Sequence, residues 1–302
     1  MRVRFAGSGD AFGSGGRWQT CIHLAADRQV LLVDCGATSL VALKAQGLDP
    51  NAVGAVAVTH LHGDHFGGLP FLILDGQFSH RSAPLLVAGP PGIRARLAAA
   101  METLFPGSSR AHRRFPVQVT ELATDGTPTG LGAASVRGWE VDHACGAPPL
   151  ALRVELGGVS FAYSGDTQWT PALAEAARGA DLFAVEAYTF DRPIRYHLDY
   201  QTLRAPRRTP RGTGRAHPHV CRHAQQTRRR RTARSLRRHG HRHLTPQTPA
   251  GSRWVRRPQL ILASASHGVA GHCRRRGYRG NTVDLYGADR PSLSWRPRWQ
   301  RR

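Results

Sequence analysis

Three histidines and one aspartate lie within the six positions His60-Leu61-His62-Gly63-Asp64-His65. Imidazole is the commonest protein ligand for zinc, and carboxylate oxygen binds beside it. The cluster follows an apolar run at 53–58 that is typical of a buried strand, so we expect it where that strand ends. His60 and His62 alternate by two, so in extended backbone both point the same way and can share one ion. Asp64 and His65 lie beyond the turn and can reach a second ion.

Two further potential ligands also follow predicted strands. His143 comes shortly after the run at 133–140, and Asp166 comes just after the apolar run at 159–163. Taken alone, His143 reads equally well as a loop histidine, and Asp166 as the N-cap of a helix over 169–178. The ordered set, with every member at a strand exit, indicates metal binding.

This order of motifs resembles the metallo-β-lactamase-fold hydrolases, whose signature is H-x-H-x-D-H followed by a histidine and a bridging carboxylate. The resemblance implies an α/β fold, a four-layer αββα sandwich of two sheets with helices outside. It implies one metal site formed by His60, His62, His143 and Asp166. It implies a second formed by Asp64, His65, Asp166 and a final histidine. The implied cofactor is a pair of Zn²⁺ ions that make hydroxide available near neutral pH, with Asp64 orienting it.

A glutamate and a histidine further along indicate one branch of that family. Glu186 ends a predicted strand at 181–186, and His197 follows a short loop. In the ribonuclease Z-like phosphodiesterases such a pair helps proton transfer to the leaving oxygen. The resemblance thus implies catalytic roles for Glu186 and His197 beside Asp64, although a surface ion pair is an equally good reading of the two. Ribonuclease Z usually has a histidine before that glutamate, where this chain has Val185, which argues against tRNA processing.

The implied substrate is a small-molecule or nucleotide phosphodiester. Two alternatives stay open: a thioester or lactone hydrolase of the same fold, and a non-catalytic, basic nucleic-acid-binding protein.

A glycine-rich loop at 7–16 follows a predicted strand at 3–5, as in many family members, but such loops also serve as ordinary turns. It is no dinucleotide fingerprint, because no helix is predicted directly after it.

The net charge of +22 is confined to one part of the 302 residues. Residues 1–204 hold 17 of the 42 Lys and Arg residues and 18 of the 20 Asp and Glu residues. Residues 205–302 therefore hold 25 basic and 2 acidic groups, with little hydrophobic periodicity. Three readings compete for this basic, low-order tail: a solvated tail, a nucleic-acid-binding arm, and translation of a GC-rich gene in the wrong frame.

The genetic code favours the wrong frame. His217-Pro218-His219 requires the codons CAY-CCN-CAY, which one base later permit Thr-His-Met, similar to the family's last metal-ligand motif. The same shift over 237–244 permits Asp-Gly-Met-Val-Ile-Asp-Ile, a plausible closing turn and strand. We therefore expect a hydrolase domain at 1–204, truncated in its last elements and lacking the final metal-ligand histidine. One metal site is then complete, and the activity of this chain is in question.

The remaining composition sets broader limits. Five cysteines form no C-x-x-C pair and suggest no disulfide framework, and Cys145 is more readily a reduced thiol than a ligand. No signal peptide is visible and no apolar stretch approaches the length of a membrane helix, so a cytoplasmic protein without membrane contact is predicted. Dimers are common in the resembled branch, so a homodimer is possible, and the sequence leaves the oligomeric state open.

Resequencing the gene across codons 195–250 tests the frameshift. We expect one base to be missing or added between codons 204 and 217, so that the corrected frame reads through the Thr-His-Met motif. Confirmation of the present frame would exclude this interpretation of the tail.

Overall fold

Two β-sheets form the frame of the protein, whose computed structural model describes residues 1–204, 259–263 and 282–284. The strands of the first sheet are β1 (Arg2–Gly7), β2 (Cys21–Ala26), β3 (Gln29–Val33), β4 (Ala55–Ala57), β5 (Leu85–Gly89), β6 (Val117–Glu121) and β13 (Thr282–Asp284). The strands of the second are β7 (Thr129–Leu131), β8 (Ala134–Glu140), β9 (Leu150–Leu156), β10 (Val159–Tyr163), β11 (Leu182–Glu186) and β12 (Gln259–Ala263). The strand order is β13-β1-β2-β3-β4-β5-β6 in the first sheet and β12-β11-β10-β9-β8-β7 in the second.

Strand direction changes within each sheet. Strands β3 to β6 are parallel neighbours, whereas β1, β2 and β3 pair antiparallel. In the second sheet β10, β11 and β12 are parallel, and β7 to β10 are antiparallel. Parallel neighbours require crossover connections, and these contain the α-helices. The helices are α1 (Ser39–Ala45), α2 (Gly63–Phe66), α3 (Leu69–Phe78), α4 (Ile93–Leu104), α5 (Ala172–Ala177) and α6 (Tyr200–Arg204).

Alternating strand residues face two different cores. In β10, Phe161 and Tyr163 lie in the core between the sheets, whereas Ala162 packs in an outer core with Leu173 of α5. In β3, Leu31 faces the inter-sheet core. Both faces of these strands are thus covered, as their nearly continuous apolar sequence requires.

Helices close the outer face of each sheet. Leu32 of β3 packs in one outer core with Leu43 of α1, Ile73 of α3 and Leu97 of α4. The order of layers is therefore helix, sheet, sheet, helix. The predicted α/β fold with two face-to-face sheets and outer helices is confirmed.

Several predicted elements differ in length from those observed. The strand predicted at 53–58 is the shorter β4, and the helix predicted at 169–178 is the shorter α5. Because α5 begins at Ala172, Asp166 is not its N-cap, and the alternative reading of that aspartate is wrong.

Two short strands come from the segment predicted to be a low-order tail. Strand β12 pairs parallel with β11, and β13 pairs antiparallel with β1. Other residues of 205–302, including His217, His219 and the segment 237–244, lie outside the described residues. The boundary at residue 204 and the frameshift therefore stay predictions.

None of the helices in the described part of the chain has the length and apolar character needed to cross a membrane.

The backbone after β3 holds the segment around α2 in place. Cys35 N–H donates to the carbonyl of His65 at 2.6 Å, and Ala37 N–H donates to that of Gly63 at 3.1 Å. This approach leaves no room at Gly36, where a Cβ would lie 2.2 Å from the carbonyl oxygen of Asp64. A glycine is therefore required there, because any side chain would push the cluster-bearing backbone away.

Replacing Gly36 by Ala is expected to lower the free energy of unfolding by about 2 kcal/mol through overpacking. Gly54→Ala is the matched control, because its Cβ would meet its nearest atom, the Val30 carbonyl oxygen, at an ordinary 3.7 Å. Urea unfolding followed by tryptophan fluorescence measures both. Equal transition midpoints for the two variants would contradict the close approach at Gly36.

Candidate metal centre

The predicted histidines converge at one edge of the sandwich. His60 and His62 follow β4, and His62 has extended backbone (φ −78°, ψ 151°) at the start of α2. His143 comes from the loop after β8 in the other sheet. The ring centroids of His60 and His62 are 4.9 Å apart, and that of His143 lies 4.8 Å from the first and 4.9 Å from the second. Nitrogens of all three lie close enough together to share one ion.

A backbone carbonyl fixes the orientation of His143. Its Nδ1 lies 3.1 Å from the carbonyl oxygen of Tyr196, and its Nε2 lies 3.1 Å from His62 Nδ1. A carbonyl oxygen only accepts hydrogen bonds, so Nδ1 carries the proton and Nε2 presents a lone pair. This is the tautomer that a metal ligand needs.

The buried carboxylate of Asp34 orients two more ligands, and sequence analysis missed it. Its Oδ2 accepts a hydrogen bond from His65 Nδ1 at 2.7 Å, and its Oδ1 accepts one from Thr59 N–H at 2.7 Å. Thr59 Oγ1 donates to Asp34 Oδ2 at 2.9 Å and is therefore left to accept from His60 Nδ1, 3.1 Å away. Both imidazoles thus keep Nε2 for another partner. The available signal was an aspartate directly after the apolar strand β3.

Two carboxylates stand next to the second ring nitrogen of His65, Nε2. Its Nε2 lies 3.4 Å from Asp166 Oδ1 and 3.5 Å from Asp64 Oδ2. Asp166 also lies within ligand distance of His60 and His65 as one group, and of His143 and His197 as another. A carboxylate between two such groups has the position of a bridging ligand.

Glu186 and His197 form the predicted pair. His197 Nδ1 lies 3.1 Å from Glu186 Oε2 and 3.9 Å from Asp166 Oδ2. The other oxygen of Glu186, Oε1, accepts a hydrogen bond from Thr167 N–H at 2.6 Å. Since only 3% of Glu186 is exposed, the alternative reading of the pair as a surface ion pair is wrong.

Burial and charge set the ionisation of the two acidic groups. Burial raises the pKa of Glu186 to about 7, assisted by the negative charge of Asp166 and opposed by His197. Burial also opposes ionisation of Asp166, but the charge and hydrogen bond of His65 outweigh it and hold the pKa of Asp166 below its ordinary range. The two carboxyl groups are thus pushed in opposite directions.

The pKa values of the imidazoles are likewise shifted in opposite directions. Burial, with the neighbouring charge of His65, holds the pKa of His60 well below its ordinary value, and burial likewise lowers the pKa of His143. For His65 burial works against protonation, yet Asp166 and Asp34 outweigh it and raise the pKa well above the ordinary value. His60 and His143 are therefore neutral, ready to donate a lone pair.

The donor set fits a metal ion. His60 Nε2 is buried and has no hydrogen-bond partner among the residues that the structure describes. Buried polar atoms in folded proteins are nearly always paired, so this nitrogen indicates a missing partner. The imidazole nitrogens and the carboxylate around it are ligands that divalent metal ions take in proteins.

Six predicted metal-ligand residues and the two further catalytic candidates are brought together: His60, His62, Asp64, His65, His143, Asp166, Glu186 and His197. Cys145 is not one of these residues. Its thiol donates a hydrogen bond to the carbonyl of Ala147 at 3.0 Å. The final histidine expected for the second metal site lies outside the described residues. His197 lies close enough to Asp166 and His143 to bind one ion together with them, and it also contacts Glu186.

A cavity opens over these residues. Its wall includes His62, Asp64, His65 and Asp166, and the glycine-rich loop contributes Gly7 to Phe12. The glycine-rich loop, whose sequence is equally typical of an ordinary turn, therefore lines the site through residues 7–12.

Comparison with known proteins gives concordant results. Residues 1–209 match the family described as Anti-Pycsar protein Apyc1. The chain is 33% identical over 190 residues to a ribonuclease Z of Mycobacterium marinum, covering 60% of this chain and 68% of that protein. Among solved structures it is similar to human tRNase Z, short form, with a TM-score of 0.57 and 23% identity, covering 68% of this chain and 86% of the other.

Another similar structure is the metallo-β-lactamase-fold protein YhfI of Bacillus subtilis, with a TM-score of 0.54 and 18% identity, covering 66% of this chain and 76% of that one. The sandwich, the histidine and aspartate cluster at its edge, and these likenesses agree with the family that the motifs indicated. The chain belongs to the Anti-Pycsar protein Apyc1 family and is a ribonuclease Z-like hydrolase of the metallo-β-lactamase fold.

Proposed function

We propose that this protein is a zinc-dependent phosphodiesterase that hydrolyses a nucleotide or another small phosphodiester. The observation that carries the proposal is the buried Nε2 of His60, which finds no hydrogen-bond partner in the described part of the chain. This nitrogen lies among imidazole rings and next to the ionised Asp166. The likeness to a ribonuclease Z supports a phosphodiester rather than a thioester or lactone.

His60, His62, His143 and Asp166 would hold one ion, and Asp64, His65 and Asp166 would contribute to a second. When bound, zinc lowers the pKa of water toward neutrality and neutralises charge on a phosphate group. Asp64 lies beside His65 at the cavity wall, where its carboxylate would accept a hydrogen bond from the attacking water and orient it. Asp166, with its lowered pKa, remains an anion throughout.

His197 and Glu186 would deliver a proton to the leaving oxygen. Glu186 accepts the hydrogen bond from Nδ1 of His197, which leaves Nε2 as the nitrogen that can face the substrate. The side chain of His197 lines the cavity and stacks on Tyr188, with centroids 4.6 Å apart. A proton donor matters most when the departing group is a basic alkoxide, because such a group leaves slowly without protonation.

We also propose that 1–204 is the hydrolase domain and that the rest of the chain is read off-frame. The second site would then lack its final histidine, and this chain would bind one zinc ion more tightly than a second. A cytoplasmic location, a homodimer and any contact with nucleic acid rest on the sequence alone and stay predictions.

Asp34→Asn is expected to weaken zinc binding about 10- to 100-fold, because an orienting partner of two ligand imidazoles is lost. Asp75→Asn is the matched control, since Asp75 pairs with Lys44 at the surface, away from the cavity. Competition with a chromophoric chelator measures both affinities. Unchanged affinity in Asp34→Asn would contradict the role given to this carboxylate.

His197→Ala is expected to lower kcat about 100-fold or more on the dinucleotide thymidylyl-thymidine, whose leaving group is an alkoxide. The p-nitrophenyl ester of thymidine 5′-phosphate needs no proton donor, because its phenolate leaves readily, so the same variant should affect it little. Initial rates on both esters give the comparison, and His112→Ala, at an exposed histidine, should change neither.

Three results would contradict parts of this proposal. Equal losses on both esters would make His197 a metal ligand rather than a proton donor. Faster hydrolysis of S-lactoylglutathione than of either phosphodiester would favour the thioester alternative. Full activity after chelation by EDTA would exclude a metal-dependent reaction.

A further inference from the structure

An exposed aromatic side chain stands at the mouth of the cavity. Phe12 is 87% exposed, yet it lines the same cavity as His62, Asp64 and Asp166. A large apolar side chain in water forgoes the stabilisation that burial would give it. A ring left open beside reactive groups is therefore a candidate for contact with the substrate.

The loop that carries Phe12 is fixed by its own hydrogen bonds. Asp10 Oδ1 accepts hydrogen bonds from the backbone N–H groups of Phe12 at 3.2 Å and Ser14 at 2.9 Å. Gln19 Nε2 donates to the carbonyl of Ala11 at 3.1 Å. These bonds hold the backbone on both sides of Phe12, so the ring is presented from a defined position.

The base of the loop is equally constrained. Gly9 N–H donates to the carbonyl of Trp18 at 2.7 Å. A Cβ on Gly7 would lie 1.8 Å from the carbonyl oxygen of Gln19, so only glycine permits the two backbone segments to approach so closely. The exposure of Phe12 is thus a consequence of an ordered loop.

Three further phenyl or phenol rings line the cavity, of which Phe5 and Tyr163 are buried and Tyr188 already has a partner. Tyr188 stacks on His197 with an interplanar angle of 29°. Phe12 is by contrast largely open to solvent. Flat aromatic faces bind nucleobases by stacking, and they do so with little dependence on which base is present.

We propose that Phe12 is a substrate-binding residue that stacks on the nucleobase of a nucleotide phosphodiester. The proposal rests on the proposed function in one respect: the phosphate of the same molecule is the group held near Asp64 and Asp166. Phe12 then selects phosphodiesters that carry a base over those that do not, without taking part in the chemical step.

Two chromogenic esters with the same leaving group test this. Hydrolysis adds water to phosphorus, breaks the bond to p-nitrophenolate, and leaves either thymidine 5′-phosphate or methyl phosphate. Phe12→Ala should raise KM for the thymidine ester about 10-fold, with kcat within about twofold, as the usual contribution of one stacked base implies. The kcat/KM for methyl p-nitrophenyl phosphate should not change.

Matched variants separate stacking from other effects. Phe12→Trp should restore the low KM, whereas Phe12→Leu, which is apolar but has no aromatic face, should not. Phe78→Ala should behave as the unsubstituted protein, because Phe78 is 79% exposed but lies on α3 outside the cavity. Full restoration by Phe12→Leu, or an equal loss on both esters in Phe12→Ala, would overturn the proposal.

A binding measurement keeps the result independent of turnover. Thymidine 5′-phosphate is titrated into zinc-loaded protein by calorimetry, and Phe12→Ala should bind it about 10-fold more weakly. If neither ester is hydrolysed, the proposed function fails, while weaker binding by Phe12→Ala would still support the stacking site. Equal binding by both proteins, or no binding by either, would overturn it.

Discussion

The candidate site depends on one buried carboxylate. Asp34 is fully buried, and its two oxygens accept hydrogen bonds from the backbone and hydroxyl of Thr59 and from the ring of His65. Through the Thr59 hydroxyl its influence extends to His60. Burial of an aspartate is costly unless its oxygens are satisfied, and here the groups that satisfy it are those that must be oriented. The same hydrogen bonds to Asp34 therefore stabilise the fold and orient the imidazoles.

Much of the site was predictable because its ligands share a local pattern. His60, His143 and Asp166 each follow a strand, so their chemistry could be read from residue type and position together. The Asp34 contacts arise from packing of different segments. Asp34 N–H donates to the carbonyl of Ala57 at 2.9 Å beside the parallel pair β3 and β4, which brings the aspartate against Thr59. A single aspartate after a strand is equally typical of an ordinary turn. The role of Asp34 therefore becomes visible only in the tertiary structure.

In the fold, too, local sequence patterns predicted some elements, whereas tertiary packing determined others. Apolar runs predicted the strands that bear the site, and β10 has the bounds that the pattern gave. The short β4 and α5 differ because their ends follow from hydrogen bonding to neighbours and not from hydrophobicity. Phe12 could not be assigned from sequence, since exposure of an aromatic residue is decided by where its loop folds back. The two short strands β12 and β13, within a segment of such basic composition, were likewise not predictable.

Tyr196 joins two parts of the site that lie far apart in sequence. Its backbone has a positive φ of 69°, its carbonyl holds His143, and the next residue is His197. A single peptide unit thus connects His143 of the histidine cluster with His197. Any displacement of this backbone unit would break the hydrogen bond to His143 and move His197 together. The orientation of both imidazoles therefore depends on the same short backbone segment.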